Sequence, residues 1–217
     1  MGIKEWEQYQ RMTGNVAAAE MGKTLFKLFG DVPSETEKTE TKRFSNEARK
    51  ALEKEGYVVY ELTGQSIASL REQGKPFWST WYKDYPDFEA LTSRKSEVAI
   101  NPKQFFLPKS NNKTLGEQQA LVERFSTDIF AKVSGVEAVL GEVSDYTELA
   151  FLSPEKQRLF GEKYDYNYTR TQTRVWSDVA IVGDFLPGGG LLVDYWHPGR
   201  RHDFLFAAPL VVPVGNK

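Results

Sequence analysis

Residues 164–176 read Tyr-Asp-Tyr-Asn-Tyr-Thr-Arg-Thr-Gln-Thr-Arg-Val-Trp, and they carry the clearest strand signal in the chain. Its aromatic residues recur at even positions, Tyr164, Tyr166, Tyr168 and Trp176, whereas Asp, Asn and Thr residues fill most odd positions. Successive side chains of a strand point to opposite faces of its sheet, so the alternation predicts a strand with one aromatic face. We expect that face to pack on the core, since buried rings contribute a large apolar area.

Two strand-like segments follow, at residues 191–196 and 204–212. The glycines Gly188–Gly190 precede the first of them and predict a hairpin turn. A phosphate-binding loop is disfavoured there, because such a loop ends in Gly-Lys-Ser/Thr and opens a helix, and here a strand-like segment follows.

The charged loop between those two segments, residues 197–203, contains Pro198-Gly199, a strong turn signal. We therefore expect an antiparallel hairpin with this loop at its tip. Antiparallel pairing would bring the two ends of the loop together and place His197 close to Asp203.

The remainder of the chain alternates helices with extended segments. The longest helix is predicted at residues 114–134, where Thr114 and Glu117 form a capping-box pattern ahead of an apolar stripe. Shorter helices are predicted at residues 44–55, from Ser66 to Gly74, from Ser144 and from Ser153. Extended segments are predicted at residues 57–62, 77–82, 97–100, 104–107 and 136–140. This order indicates an α+β fold with a mixed or antiparallel sheet, a C-terminal β-hairpin or meander, several short helices and one long helix.

The N-terminal region differs from the rest of the chain. Residues 1–30 carry apolar residues at helical spacing and predict a helical arm. Residues 31–43 are charged and almost without apolar residues, which predicts a flexible linker. Residues 44–217 then form a single α+β domain. The arm either packs on this domain or binds a protein partner through its helix.

Composition excludes several kinds of site. The chain has 217 residues, 40% of them hydrophobic, and no cysteine, which excludes disulfides, thiolate metal sites and a cysteine nucleophile. The formal net charge of -2 gives no whole-protein argument for nucleic acid or an anionic membrane. No segment approaches the ~20 apolar residues of a membrane span, so we expect a soluble cytoplasmic protein with no membrane partner. We also expect no metal and no cofactor.

The only two histidines, His197 and His202, flank Arg200 and Arg201 in the charged loop. Imidazole titrates near neutral pH and guanidinium groups bind phosphate, so His197, His202 and Arg200 are candidate catalytic residues. The alternative is a solvated loop of polar residues. The spacing of the histidines matches no zinc motif.

Tyr166, Tyr168, Arg170 and Arg174 share one face of the predicted tyrosine-rich strand and are candidates for ligand binding. Interleaved rings and cations stack bases and neutralise phosphate, which makes RNA or a nucleotide one hypothesis. In the alternative, which we prefer, the tyrosines face the core and each arginine reaches outward into solvent.

A further anion site is suggested by residues 63–66, Thr-Gly-Gln-Ser, which lie between a predicted strand and a predicted helix. Free amides at such a turn bind anions, although most strand–helix turns bind nothing. Glu97, Asp145 and Glu148 lie near the ends of predicted elements, but their spacing in the sequence does not pair them.

Four short segments together carry a resemblance to known sequences. They are Tyr-Glu-Leu-Thr-Gly-Gln-Ser-Ile at residues 60–67, Glu-Val-Ala-Ile-Asn-Pro at 97–102, Phe-Leu-Pro-Lys-Ser at 106–110 and Phe-Ala-Ala-Pro-Leu-Val-Val-Pro at 206–213. On these segments the chain resembles a group of uncharacterised bacterial proteins over roughly residues 57–213, which leaves the N-terminal arm outside. The resemblance implies a bacterial protein, and no activity, cofactor or catalytic residue.

Two functions from different classes follow from the sequence. The leading hypothesis is a soluble bacterial α+β binding or interaction domain. The alternative is a metal-independent phosphodiesterase or ribonuclease that uses His197 and His202 for proton transfer and Arg170, Arg200 or Arg201 for the phosphate. An enzyme needs those groups around one cleft, within hydrogen-bond reach of a shared substrate. Their convergence in the fold therefore discriminates the two.

Overall fold

The computed structural model describes residues 41–78, 81–152, 160, 167–186 and 188–214. The predicted helical arm, most of the predicted linker, the helix predicted from Ser153, and Tyr164 and Tyr166 lie outside the described residues. Within the described residues, no helix combines the length and the apolar character needed to cross a membrane.

Across these ranges the chain forms two four-stranded sheets and five α-helices. The helices are α1 (Asn46–Lys54), α2 (Ile67–Glu72), α3 (Pro86–Glu89), α4 (Leu115–Lys132) and α5 (Val143–Leu152), with a 3-10 helix at Trp81–Asp84. The strands are β1 (Val58–Thr63), β2 (Lys95–Ile100), β3 (Val136–Val139), β4 (Tyr168–Val175), β5 (Asp178–Leu186), β6 (Gly190–Trp196), β7 (Leu205–Phe206) and β8 (Leu210–Pro213).

The first sheet has the strand order β1-β2-β8-β3 and is antiparallel. The second has the order β6-β5-β4-β7, in which β4 and β7 run parallel and the other neighbours antiparallel. Strands β4, β5 and β6 form a meander, and Leu186 lies opposite Gly190 across the turn between β5 and β6. The predicted α+β fold and the hairpin turn at Gly188–Gly190 are therefore confirmed.

The hairpin predicted between residues 191–196 and 204–212 is wrong. Strand β6 pairs with β5, β7 pairs in parallel with β4, and β8 crosses to the first sheet, where Val211 lies opposite both Ala99 and Ala138. All four residues of β8 are buried, which suits the interior of a sheet covered on both faces rather than an exposed hairpin. The antiparallel pairing that was expected to bring the two ends of the charged loop together does not form.

The strand predicted at residues 77–82 is also wrong. Phe77 makes a single parallel bridge with Leu191, and Trp81–Asp84 form a 3-10 helix. The aromatic residues that suggested a strand pack against other rings instead, as Phe77 does against Phe151 with centroids 5.2 Å apart. Residues 104–107 likewise form no strand, because the chain turns after Asn101, whose carbonyl oxygen accepts a hydrogen bond from the Gln104 amide at 3.0 Å.

The capping signals predicted for α1 and α4 are confirmed. Before α4, Thr114 Oγ1 accepts a hydrogen bond from the Glu117 amide at 3.3 Å, and the Glu117 carboxylate accepts one from the Thr114 amide at 2.8 Å. The hydrogen bond from the Thr114 amide lowers the pKa of Glu117. Ser45 caps α1 by accepting a hydrogen bond from the Ala48 amide at 3.1 Å.

The chain enters the domain alongside β2. The Lys42 carbonyl oxygen accepts a hydrogen bond from the Glu97 amide at 2.8 Å, and the Lys42 amide donates one to the Lys95 carbonyl oxygen at 3.2 Å. Arg43 forms ion pairs with Glu61 at 3.1 Å and with Glu97 at 3.4 Å. Residues 42 and 43 therefore contact the first sheet, although the sequence places them in the predicted linker.

Helix α5 lies between the two sheets, in contact with β1 of the first sheet and with β4 and β5 of the second. Every residue from Val143 to Ala150 is buried, including Asp145 and Glu148. Because burying an ionised carboxylate without partners is costly, these two side chains need hydrogen-bond donors from neighbouring segments.

Candidate functional site

The anion-binding turn predicted at residues 63–66 is occupied by a carboxylate of the chain itself. Glu148 of α5 accepts hydrogen bonds from the Thr63 amide at 2.9 Å, the Thr63 hydroxyl at 2.8 Å and the Gln65 amide at 3.2 Å. It also accepts one from the Ser93 hydroxyl. With these donors directed at Glu148, the turn joins β1 to α5, and its amides are not available to an external anion.

Two further buried carboxylates tie distant segments together. Asp145 accepts hydrogen bonds from the Arg94 guanidinium at 2.7 and 3.0 Å and from the Arg94 amide at 2.9 Å. Glu97 accepts one from the Phe44 amide at 2.9 Å and another from the Arg49 guanidinium. Each carboxylate thus has its own set of donors, so these residues stabilise the fold rather than form a catalytic pair.

Arg170 lies in β4 with none of its surface exposed, rather than reaching into solvent as we expected. Its guanidinium donates hydrogen bonds to the carbonyl oxygens of His197 at 3.1 Å and Lys113 at 3.5 Å, and to that of Arg200. Burial lowers the pKa of Arg170 to about 10, so it stays charged at neutral pH. Because both terminal nitrogens of its guanidinium donate to backbone carbonyls, Arg170 anchors the charged loop, and a phosphate reaches these nitrogens only if the loop opens.

The two histidines of the charged loop make separate contacts. The Nδ1 of His197 accepts a hydrogen bond from the Gly199 amide at 3.1 Å. His202 packs its ring on Phe204, with centroids 3.5 Å apart, and its Nδ1 lies 3.2 Å from the Asp203 carboxylate. Asp203 therefore contacts its neighbour His202, and not His197 as the predicted hairpin required.

The arginines of the loop also have different surroundings. Arg200 has an exposed side chain, while its carbonyl oxygen accepts the hydrogen bond from Arg170. Arg201 forms an ion pair with Glu117 at 2.8 Å, which attaches the loop to the first turn of α4. The hydrogen bonds of the loop thus hold its backbone against β4 and α4.

Of the predicted aromatic row, Tyr168 is buried as expected, whereas Trp176 is not. Tyr168 is buried, with 7% of its surface exposed, whereas Trp176 is 60% exposed. The register of β4 against β5 shifts between Arg170 and Arg174, and Trp176 lies in the turn that follows β4. The shift and the turn place Trp176 on the surface together with the exposed Arg174.

Four aromatic rings from three segments of the chain form a cluster on this surface, which we call the aromatic surface cluster: Trp81, Tyr85, Trp176 and Tyr195. The ring centroids are 4.8 Å apart for Tyr85 and Trp176, and 5.4 Å apart for Trp176 and Tyr195. Trp81 and Tyr195 have centroids 5.2 Å apart. The three pairs are edge-to-face, with interplanar angles of 79°, 87° and 82°. Because Tyr85, Trp176 and Tyr195 are all exposed, the cluster presents a contiguous apolar surface.

Backbone geometry holds the cluster in place. Trp176 has a φ of +52°, in the left-handed region that bulky residues rarely adopt. Trp81 donates an indole N–H hydrogen bond to the Val193 carbonyl oxygen of β6 at 2.9 Å. The segment before Trp81 lies so close to β6 that a Cβ at Gly190 would be 2.2 Å from the Pro76 carbonyl oxygen, so only glycine fits there.

A pocket of about 270 Å³ opens beside the cluster. It is lined by Trp81, Asp84, Tyr85, Pro86, Asp87, Phe88, Arg174, Val175 and Trp176. The side chains of Asp84, Asp87 and Arg174 are exposed and make no hydrogen bond or ion pair with any other residue in the described part of the chain. Both carboxylates and the guanidinium are therefore available to a ligand, and negative charge predominates.

A second groove lies between α4 and the start of β1. It consists of two adjoining pockets of about 220 and 140 Å³ that share Tyr57, Asn101, Gln104 and Phe125. Burial, with the charge of Glu55, raises the pKa of Tyr57. Glu55 forms an ion pair with Lys132 at 3.2 Å across this groove, so two of its charged groups already satisfy each other. Neither histidine lines this groove or the pocket beside Trp176.

The sequence analysis did not single out Trp81, Tyr85 or Tyr195. The available signal was the density of aromatic residues at positions 77–85, five of nine, of which residues 77–82 predict a strand. Which of those rings meet Trp176 and Tyr195 depends on the position of β6 beside the 3-10 helix, and that is a tertiary contact.

The comparisons with known proteins add no assignment to this site. No protein-family model, no curated protein and no solved structure matches the chain.

Proposed function

We propose that the chain is a binding module whose ligand docks on the aromatic surface cluster. The observation that carries the proposal is the contact of the exposed Trp176 ring with two other exposed rings, Tyr85 and Tyr195. Exposed aromatic residues scattered singly over a surface need no explanation, whereas a contiguous exposed patch is typical of an interaction site.

The conformation of Trp176 supports the same conclusion. A left-handed backbone costs a residue with a Cβ about 1 kcal/mol or more, and glycine or asparagine occupies such a turn position at lower cost. Since the ring of Trp176 is 60% exposed, folding alone recovers little of that cost through burial. Strained positions concentrate at functional sites, where the strain places a side chain for binding.

Rigidity of the rings is the second source of support. Trp81 is held by its hydrogen bond to β6, and Trp176 lies in the tight turn between two paired strands. A ligand that docks on rings already held in place loses less conformational freedom on binding than one that must order them. The hydrolase alternative has no comparable observation behind it, because Arg170 is engaged with backbone carbonyls and the two histidines have separate partners.

The test is a binding panel measured by isothermal titration calorimetry on the whole chain. The panel contains one proline-rich peptide, one soluble oligosaccharide such as cellohexaose, and the single-stranded RNA U10. Binding of any member should weaken at least tenfold in Trp176→Asn, since asparagine tolerates the turn while the ring is lost. Phe130→Ala is the matched control, because Phe130 of α4 is similarly exposed, at 56%, and lies outside the cluster. Binding that survives Trp176→Asn, or a panel in which nothing binds, would count against the proposal.

A further inference from the structure

Resting on that proposed function, we infer that the ligand of the aromatic surface cluster is a proline-rich segment in the polyproline II conformation that carries a basic side chain. Three properties of the site lead to this ligand: the angles between the rings, the phenol donors among them, and the excess of carboxylates beside them.

The angles between the rings make the surface ridged rather than flat. Trp176 stands at 79° to Tyr85 and at 87° to Tyr195, and Trp81 stands at 82° to Tyr195. Edge-to-face packing covers part of each ring face and leaves grooves between neighbouring rings. The three-residue repeat of a polyproline II helix presents ridges of pyrrolidine rings, and aromatic-lined grooves are the surfaces that recognise them.

The polar groups of the cluster suit the backbone of the same ligand. A polyproline II segment has no internal hydrogen bonds, so its carbonyl oxygens are free to accept hydrogen bonds from the protein that binds it. The phenol groups of Tyr85 and Tyr195 are donors on exposed side chains at this surface. A tyrosine side chain has an apolar ring, which packs on a pyrrolidine ring of the ligand, and a phenol O–H, which donates a hydrogen bond to a carbonyl oxygen of the ligand.

Charge selects among such ligands. Asp84 and Asp87 line the pocket together with a single arginine, Arg174, and none of the three is paired with another described residue. Two carboxylates attract an arginine or lysine side chain of the ligand, and the neighbouring ring faces attract the same cation. The same carboxylates repel a phosphate backbone, which is the main source of affinity in nucleic-acid binding.

The experiment uses two labelled peptides that differ only in charge: decaproline flanked by arginine and decaproline flanked by glutamate. Fluorescence anisotropy at pH 7 should show the arginine-flanked peptide binding at least fivefold more tightly to the wild-type chain. Trp176→Asn should weaken both peptides at least tenfold, and Phe130→Ala should leave both unchanged. The double variant Asp84→Asn with Asp87→Asn should abolish the difference between the peptides while retaining binding of both. Thermal melts of each variant show that a loss of binding is not a loss of folding.

The outcomes separate this inference from the proposed function. If cellohexaose or U10 binds in a manner that depends on Trp176 and neither peptide does, the cluster is a binding site and the ligand class inferred here is wrong. If the glutamate-flanked peptide binds as tightly as the arginine-flanked one, the charge argument fails. If no probe binds at the cluster, the proposed function fails together with the inference.

Discussion

The guanidinium of Arg170 donates a hydrogen bond to the carbonyl oxygen of His197 at 3.1 Å, which joins β4 to the start of the charged loop. The two residues are therefore linked through the backbone of the loop, and the imidazole of His197 takes no part in the contact. This arrangement assigns Arg170 a role in folding that is distinct from the ligand-binding and phosphate-binding roles that its sequence position suggested.

Replacing Arg170 with methionine should lower the free energy of unfolding by about 3 kcal/mol, because the partly buried carbonyl oxygens of the charged loop lose a charged donor. Urea unfolding at pH 7 measures the loss. Arg174→Met is the matched control, since this arginine lies in the same strand but is exposed, and it should change the free energy by no more than about 0.5 kcal/mol. Equal losses in the two variants would contradict the assigned role of Arg170.

Replacing Glu148 with alanine should destabilise the protein by about 2 to 3 kcal/mol, because the amides of Thr63 and Gln65 lose their acceptor. The space left by the carboxylate then has donors suited to a small anion. Formate or acetate should therefore raise the melting temperature of Glu148→Ala more than that of the wild type. Glu123→Ala, which removes an exposed glutamate of α4, is the control for nonspecific salt effects, and an equal response in it would refute the prediction.

Asp184 gives a prediction about pH. It is buried at a register shift in β5, and neither carboxylate oxygen has a hydrogen-bond partner among the described residues. Burial raises the pKa of Asp184, so the folded state binds its proton more tightly than the unfolded state does. Protonated Asp184 therefore favours the folded state. This contribution to stability is complete below the pKa of Asp184 in the unfolded chain, about 3.9, and it is lost as the pH rises through the higher pKa in the folded state.

Replacing Asp184 with asparagine should remove the loss of stability that ionisation of Asp184 causes as the pH rises. The variant should be more stable than the wild type by about 1 kcal/mol at pH 7, and the two should converge near pH 4. Asparagine tolerates the φ of +49° at this position, so backbone strain does not obscure the effect. Urea unfolding across pH 4 to 8 measures the difference between the two proteins, and a difference that does not vary with pH would rule out this explanation.

Truncation tests the boundary of the domain. The sequence, with a linker predicted over residues 31–43, predicts that removal of residues 1–43 leaves the main unfolding transition in place; with Lys42 and Arg43 in contact with β2, we now expect this for removal of residues 1–40. Removal of residues 1–43 should lower the free energy of unfolding by a further ~1 to 3 kcal/mol, because the contacts of Lys42 and Arg43 with β2 are lost. Differential scanning calorimetry of the two truncated chains measures the difference. If removal of residues 1–40 already prevents folding, the arm belongs to the core.

Trp176→Asn should leave the free energy of unfolding within about 1 kcal/mol of the wild type. The variant loses ring contacts with Tyr85 and Tyr195 but gains a residue suited to the left-handed turn, and the two effects oppose each other. Trp81→Ala should cost more, since Trp81 is partly buried and hydrogen-bonded to Val193. Chemical denaturation of the two variants compares them. A large loss in Trp176→Asn would mean that the ring is part of the core.

Features that depend on neighbouring residues could be predicted from the amino-acid sequence. Thr114 and Glu117 cap α4 as predicted, because the donor and the acceptor of each hydrogen bond lie three residues apart. The turn at Gly188–Gly190 also needs only local backbone freedom. Tyr168 faces the core because alternation along a strand assigns a face to each side chain, but that rule fails after the register shift and does not predict the exposed Trp176.

Contacts between distant segments, in contrast, follow from the packing of the whole fold. Glu148 lies 85 residues from Thr63, and nothing within either segment identifies the other as its partner. Strand β8 joins the first sheet because its residues are buried on both faces there, although it follows β7 of the second sheet in the chain. The aromatic surface cluster combines residues of the 3-10 helix region, the β4–β5 turn and β6, and its existence depends on how those elements pack. Local propensity acts over a few residues, whereas the position of a strand in a sheet is set by the apolar area that the whole fold can bury.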